Sequence, residues 1–174
     1  MTLTPAMRRY VLHWGEMGQR WGVNRTVAQI HALLYLAEAP QNAERIAEAL
    51  GVARSNVSTS LKELLGWGLI KLVHLEGDRR DHFEARTDPW DMLELIVEGR
   101  KRREIDPTLE MLAAVVAEAR ADRATPAHAR ERLETMQTFL TQLDGWHRQM
   151  KDIPRPTLVK LIALGGRIAK LIGR

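Results

Sequence analysis

The chain has 174 residues, of which 45% are apolar, so it can form one domain, or one domain with an appendage, around a sizeable core. It contains no cysteine, which excludes a disulfide framework, Cys-ligated zinc and a thiol nucleophile. The net charge of +4 suits a polyanionic partner, although segment 43–86 is balanced, with seven basic and seven acidic residues. No apolar run approaches the roughly 18 residues of a membrane span, and no signal peptide is recognisable, so we expect a cytoplasmic protein without a span.

The first fifty residues predict three helices. The first has Thr4 as its N-cap and Pro5 in its first turn. Glycines 15, 18 and 22 lie along one side of it, where each costs about 1 kcal/mol relative to alanine unless another helix packs closely there. We expect that other helix to come from a partner subunit. The second helix covers 27–39 before Pro40, and the third is "NAERIAEALG", which ends at Gly51.

Two short helices joined by "GVA" predict a helix-turn-helix, "NAERIAEAL" followed by "RSNVSTSLKELL". The second begins with small polar and basic residues that are poor helix formers and continues with leucines that favour helix. In a helix-turn-helix the N-terminal part of the second helix enters the DNA major groove, where short polar side chains reach base edges and phosphates. The alternative is an ordinary solvated face. The candidate DNA-binding residues are Arg54, Ser55, Asn56, Ser58, Thr59 and Lys62.

A β-hairpin is predicted after Gly68, with "LIKLVHLE" and "HFEAR" as strands and "GDRRD" as the turn. Arg79 and Arg80 then lie at a tip that can enter the minor groove, and His82 is a candidate phosphate contact. Asp78 can orient an arginine through a two-point ion pair. A solvated turn with offsetting charges is the alternative for the hairpin alone.

The second half of the chain predicts long helices, starting with Asp88 as a cap and Pro89 in the first turn. They cover roughly 88–121 with a break at Asp106-Pro107, then 126–150 and 155–172. "RKRR" at 100–103 is a charged helix face that stays solvated, approaches the DNA backbone or pairs with acidic residues on an adjacent helix. The basic, apolar tail 154–174 suits either a membrane-surface helix or a dimer interface.

From Ala43 to Leu109 the sequence resembles the MarR-type winged-helix transcriptional regulators. More narrowly, "NVSTSLKELLGWGLIKLVHLEGDRRDHFEARTDPWDM" and "GRKRREIDPTL" resemble the glycine-betaine-regulator (GbsR-like) branch. The resemblance implies a homodimeric DNA-binding regulator, usually a repressor, with contacts from the recognition helix and from Arg79 and Arg80. It also implies that the N- and C-terminal helices form the dimer interface. Ala53 is a departure, since many relatives have a capping serine there.

Five of the nine aromatic residues are tryptophan. Aromatic boxes bind quaternary ammonium groups, and some members of the family respond to choline-like osmolytes, so an effector site is one interpretation. Packing in the core or at a dimer interface is the other, because residues at helical spacing usually pack. The candidate ligand residues are Tyr10, Trp14, Trp21, Tyr35 and Trp90. The six histidines have no metal-site spacing, and no catalytic motif is apparent, so we expect no metal, no cofactor and no enzyme.

The sequence therefore predicts a mainly α fold: a winged helix-turn-helix with a two-stranded β wing and long N- and C-terminal dimerisation helices. We expect an N-terminal dimerisation helix at 1–22, the DNA-binding winged helix at 23–88, and a helical dimerisation and regulatory region at 89–174. The predicted partners are double-stranded DNA with a palindromic operator, a second copy of the chain, and a small-molecule effector. The alternative function is a protein-interaction scaffold that keeps the winged-helix fold and places its basic tail on a membrane surface.

Overall fold

The computed structural model describes residues 1–165 and divides the chain into two compact units, Met1–Arg100 and Lys101–Arg174. It confirms the predicted fold class, a mainly helical chain with a winged helix. The elements of the first unit are α1 (Pro5–Arg20), α2 (Arg25–Leu36), β1 (Gln41–Asn42), α3 (Ala43–Leu50), α4 (Arg54–Trp67), β2 (Ile70–Leu75), β3 (Asp78–Ala85) and α5 (Pro89–Arg100).

Several predicted helix ends in the first unit are confirmed by their caps, whereas α2 ends at Leu36, three residues before the predicted end at Ala39. Thr4 Oγ1 accepts a hydrogen bond from the backbone N–H of Met7, and Pro5 opens the helix. Gly51 and Gly68 end α3 and α4 with left-handed backbone, at φ +66° and +72°. Glycine fits both positions because it carries no Cβ to clash there. Gly51 therefore fixes the turn of the helix-turn-helix, and Gly68 fixes its end.

Helix α2 is the centre of the first unit, since every residue from Val27 to Leu34 is buried. A helix that is buried on all sides must pack against other elements on every side. The core around it includes Ile30 and Leu33 of α2, Ile46 of α3 and Val57 of α4, none of them more than 1% exposed. The helix-turn-helix is thus anchored to α2 by its apolar side, which leaves its polar side outside.

The glycines of α1 pack within the chain, not against a partner subunit as the sequence analysis expected. A Cβ on Gly18 would lie 2.5 Å from the Cβ of Ala28, and one on Gly15 would lie 2.6 Å from the Cγ of Gln29. The close crossing of α1 over α2 explains both glycines. Gly22 instead lies past the helix end, at φ +78°.

The sheet has three antiparallel strands in the order β1–β3–β2, one more than the predicted wing. The added strand β1 is two residues long and pairs Gln41 with Phe83 and Asn42 with His82. The hairpin turn is tighter than predicted, because β3 already begins at Asp78 and Gly77 supplies a φ of +78°. Arg79 and Arg80 therefore lie in the first residues of a strand and not in the turn.

The second unit is helical throughout its described part. It comprises a π-helical turn (Lys101–Ile105), α6 (Asp106–Ala121), α7 (Ala127–Lys151) and α8 (Arg155–Leu164). Leu112, Val116 and Ala119 of α6 are buried. The carboxylate of Asp144 on α7 binds Lys101 Nζ at 3.0 Å and Arg148 Nη2 at 2.6 Å. Residues 166–172 of the predicted tail helix lie outside the described residues.

Candidate nucleic-acid interface

Helix α4 has one buried side and one exposed side. Val57, Ser60, Leu61 and Leu64 are buried. All six residues proposed from the sequence to contact DNA on this helix are exposed. Ser60 is not one of the six proposed residues, and it is buried on the packed side of the helix. The exposed side therefore presents short polar side chains in the N-terminal turns, framed by the basic Arg54 and Lys62.

The N-terminus of α4 has no side-chain cap. Ala53 occupies the N-cap position with extended backbone and can accept no hydrogen bond through its side chain. No side-chain cap bond forms at this helix end. Uncapped N–H groups at a helix start carry partial positive charge and suit an anion such as phosphate.

Arg80 is held at the base of the wing by Asp78. Its Nε lies 2.9 Å from Asp78 Oδ1 and its Nη2 lies 2.6 Å from Oδ2, which is a two-point ion pair. The backbone N–H of Arg80 also donates to Oδ1. Hydrogen bonds from Arg80 hold the pKa of Asp78 well below its usual range, so the carboxylate stays charged.

Glu44 links the wing to the recognition helix, and sequence reasoning missed it. Its Oε1 lies 3.0 Å from Arg54 Nη2, and its Oε2 lies 3.3 Å from Arg80 Nη1. Glu44 stands ten residues before one partner and thirty-six before the other, so no spacing rule predicts the arrangement. The only signal in the sequence is an acidic residue in the first turn of α3, which is usual for any helix.

His82 does not fit the predicted contact with phosphate. Its side chain is 2% exposed, with Nδ1 2.9 Å from the carbonyl oxygen of Arg80 and Nε2 3.5 Å from Asp78 Oδ2. Burial along β3 does not alternate: Arg79, Arg80 and Asp81 are exposed, whereas His82 and Phe83, which follow directly, are buried. His82 therefore supports the backbone and the carboxylate behind Arg80 and is not itself at the surface.

Four of the five proposed ligand residues form a continuous aromatic cluster. Tyr10 stacks on Trp14 and on Tyr35, with ring centroids 5.5 and 6.4 Å apart. Trp14 meets Trp21 edge to face at 6.4 Å. Trp90 lies apart in sequence, at the start of α5, where its backbone N–H donates to the carboxylate of Asp88.

A cavity of about 460 Å³ adjoins this cluster within the first unit. Of the five proposed residues, Trp14 and Trp21 line it, and Trp67 of α4, which the sequence analysis did not select, lines it too. His31 also lines the cavity, is buried, and has an Nε2 atom without a hydrogen-bond partner among the described residues. Burial lowers the pKa of His31 to about 4, so its imidazole is neutral at physiological pH.

Other classes of site find no support in residues 1–165. No group of three or more histidines and carboxylates in this range could hold a metal ion. No helix there is long and apolar enough to cross a membrane.

Comparison with known proteins agrees with the fold. Residues 21–81 match the model of the MarR family. A crystal structure of a transcriptional regulator is 23% identical, with a TM-score of 0.57, over 81% of this chain and 92% of the other. The transcriptional regulator Tm0710 from Thermotoga maritima is 17% identical over 86% of this chain and 94% of the other, with a TM-score of 0.39.

A further solved structure is a mutant of MepR from S. aureus bound to an oligodeoxyribonucleotide. It is 17% identical over 79% of this chain and 90% of the other, with a TM-score of 0.39. A search of curated proteins gave no match. Residues 21–81 are thus similar to the MarR family, and the solved structure with a TM-score of 0.57 shares the fold.

Proposed function

We propose that this protein is a sequence-specific DNA-binding transcriptional regulator. The observation that carries the proposal is the composite surface of α4 and the wing. Six side chains in the first part of α4 are exposed, four of them short and polar and two of them basic. Arg80 of the wing is connected to the same surface through Glu44. The MarR-family match over 21–81 supports the same conclusion.

In this proposal the N-terminal turns of α4 read base edges in the major groove, while Arg79 and Arg80 approach the minor groove. Phosphate contacts supply most of the affinity, and base contacts from 54–62 supply selectivity. A two-fold symmetric dimer would place two α4 helices in successive major grooves. The operator is then an imperfect palindrome with half-sites about 10 base pairs apart.

We propose a homodimer because α7 leaves an apolar stripe in solvent. Met136, Phe139, Leu143 and Trp146 recur at intervals of three and four residues, and each is between 41% and 57% exposed. Apolar side chains at this spacing form the seam between paired helices. This supports the predicted role of the C-terminal helices in dimerisation. The glycines of α1 no longer support it, because they pack on α2.

We further propose that the regulator is a repressor of the glycine-betaine-regulator branch and that a small ligand modulates it. The cavity beside the aromatic cluster supports a ligand: three indole side chains and a buried, neutral imidazole surround a space large enough for a small molecule. Choline-like compounds are one candidate, through cation–π attraction. Arg100 also lines the cavity, and its positive charge would oppose a cation, so neutral aromatic amphiphiles belong in the same screen.

The experiment is fluorescence-anisotropy binding to the DNA upstream of the protein's own gene and to a scrambled duplex of equal length, over a range of salt. A preference of about a hundredfold or more would support a specific regulator. Arg80→Ala should weaken operator binding by about ten- to a hundredfold without unfolding the chain. Arg9→Ala, in α1, is the control with the same loss of charge.

Equal, steeply salt-dependent binding to both duplexes would count against the proposal and leave only nonspecific electrostatics. That result, together with liposome binding that requires residues 154–174, would favour the interaction scaffold instead. The effector is tested on the same operator complex, by adding choline or a neutral aromatic amphiphile and following release of the DNA. Quenching of tryptophan fluorescence by the same compound would tie the release to the cavity.

A further inference from the structure

Glu44 lies in the first turn of α3, and hydrogen bonds connect this helix start to the wing. The Asn42 side chain caps α3 through a 3.0 Å bond from the N–H of Arg45, and Asn42 is 1% exposed. Asn42 also belongs to β1, where it pairs with His82 of β3. Since β3 carries Arg80, the start of α3 and the base of the wing form one hydrogen-bonded unit.

The carboxylate of Glu44 divides its two oxygens between two parts of the proposed DNA surface. One oxygen holds the first residue of the recognition helix, Arg54, and the other holds Arg80. Arg80 is clamped on its other side by Asp78. Glu44 therefore ties Arg54 to an arginine that Asp78 already holds, and this fixes the two guanidinium groups relative to each other.

Stability is a poor explanation for this arrangement. The side chains are 43% exposed at Glu44, 68% at Arg54 and 53% at Arg80. Exposed ion pairs contribute only about 0–1 kcal/mol to folding. A negative charge on a surface that meets phosphates also weakens binding to any DNA. The charge of Glu44 taken alone opposes DNA binding, so the residue has to be explained by what it does to the arginines.

We infer that Glu44 is a specificity-determining positioning residue, which holds Arg54 and Arg80 in fixed poses so that only DNA matching both poses binds tightly. The inference rests on the proposed DNA-binding function. A guanidinium group that is already fixed loses less rotamer entropy on a matching site. On a mismatched site the same group must leave Glu44 before it can reach a phosphate. Both effects increase the difference in binding affinity between matching and mismatched DNA.

The test compares Glu44→Gln with Glu48→Gln. Both variants remove one exposed carboxylate from α3, and only the first residue bridges the two arginines. The matched duplex is one that the wild-type protein selects from a random pool, and the mismatched duplex is its scrambled counterpart. We expect Glu44→Gln to tighten mismatched binding about threefold and weaken matched binding about tenfold, whereas Glu48→Gln changes both by a similar factor. Equal changes in both variants would overturn the inference.

A second background separates positioning from direct contact with a base. The Arg54→Ala, Arg80→Ala double variant lacks both arginines that Glu44 positions. Adding Glu44→Gln to it should therefore leave the preference for matched over mismatched DNA unchanged. A preference that still falls there means that Glu44 acts on DNA directly and refutes the positioning role. The Nε–H signal of Arg54 in the free protein gives a readout without DNA: it should be ordered in the wild type and averaged in Glu44→Gln, whereas Arg80 Nε–H, which Asp78 holds, stays ordered in both. If the Arg54 signal stays unchanged, the inference fails, whereas loss of all sequence preference in the wild type would instead refute the proposed function.

Discussion

The two compact units differ in how much of their apolar surface they bury. In Met1–Arg100 the buried apolar residues form one core around α2, although a few large ones, such as Leu12 and Leu93, are exposed. In Lys101–Arg174 the described helices leave an apolar stripe along α7 in solvent, from Met136 to Trp146. A contiguous exposed apolar surface favours contact with a partner. The DNA surface that we propose lies in the first unit, and the self-association surface that we propose lies in the second.

The largest effect should come from placing a charge in the apolar stripe of α7. Phe139→Asp puts a carboxylate among side chains that we propose to be buried between two copies. We expect self-association to weaken by about a hundredfold or more, as for the loss of an interface hot spot. Sedimentation velocity over a concentration series measures it. Thr138→Asp is the control, since Thr138 is exposed on another side of the same helix. If the wild-type protein is monomeric at high concentration, the apolar stripe of α7 is not a self-association surface, and the proposed contrast between the units fails.

The next effect concerns the buried imidazole in the first unit. His31 has a folded pKa of about 4, below its ordinary 6.5, so the unfolded chain takes up the proton first. The contribution of the neutral imidazole to the free energy of unfolding is fully present above pH 6.5. It is lost as the pH falls towards 4, by about 3 kcal/mol. Denaturant unfolding across this range should show a shallower loss for His31→Gln than for the wild type. His13→Gln, at an exposed position of α1, should follow the wild type. Parallel curves for all three would show that His31 is not held neutral.

A matched pair of glycine substitutions should have opposite signs in the two units. Gly18→Ala forces a methyl group to within 2.5 Å of Ala28 and should destabilise the fold by about 1–3 kcal/mol. Gly145→Ala, in α7, meets no atom within 4 Å and should stabilise by up to about 1 kcal/mol through helix propensity. Thermal unfolding of both variants measures the difference. A stabilising Gly18→Ala would mean that α1 does not cross α2 closely.

The smallest effect should come from restoring a cap to the recognition helix. Ala53→Ser supplies an oxygen for the free N–H groups of α4 and should stabilise the protein by about 1 kcal/mol. Ala53→Val, which adds bulk without an acceptor, should show no such gain. Chemical denaturation distinguishes the two. An equal gain in both would show that the missing cap is not what limits this helix.

The elements and their ends were largely predictable from local chemistry. Thr4 begins α1, Gly51 and Gly68 end α3 and α4, and Pro89 opens α5, as their side chains or their lack of one require. The predicted break at Asp106-Pro107 is wrong, since Ile105 keeps helical backbone between the π-helical turn and α6. The strand β1 was missed because two residues carry no periodic signal. The turn was predicted too long, because the pairing of Leu75 with Asp78 depends on register and not on composition.

The sequence by itself determined that a helix-turn-helix with a polar leading edge is followed by a hairpin and long helices, because caps, breakers and apolar spacing act over a few residues. Tertiary structure alone decided which residues meet. It turned His82 inward, packed the α1 glycines on α2, brought Trp67 to the cavity of Trp14 and Trp21, and placed Glu44 between Arg54 and Arg80. Contacts between distant residues depend on how the core packs as a whole, and no local pattern encodes them.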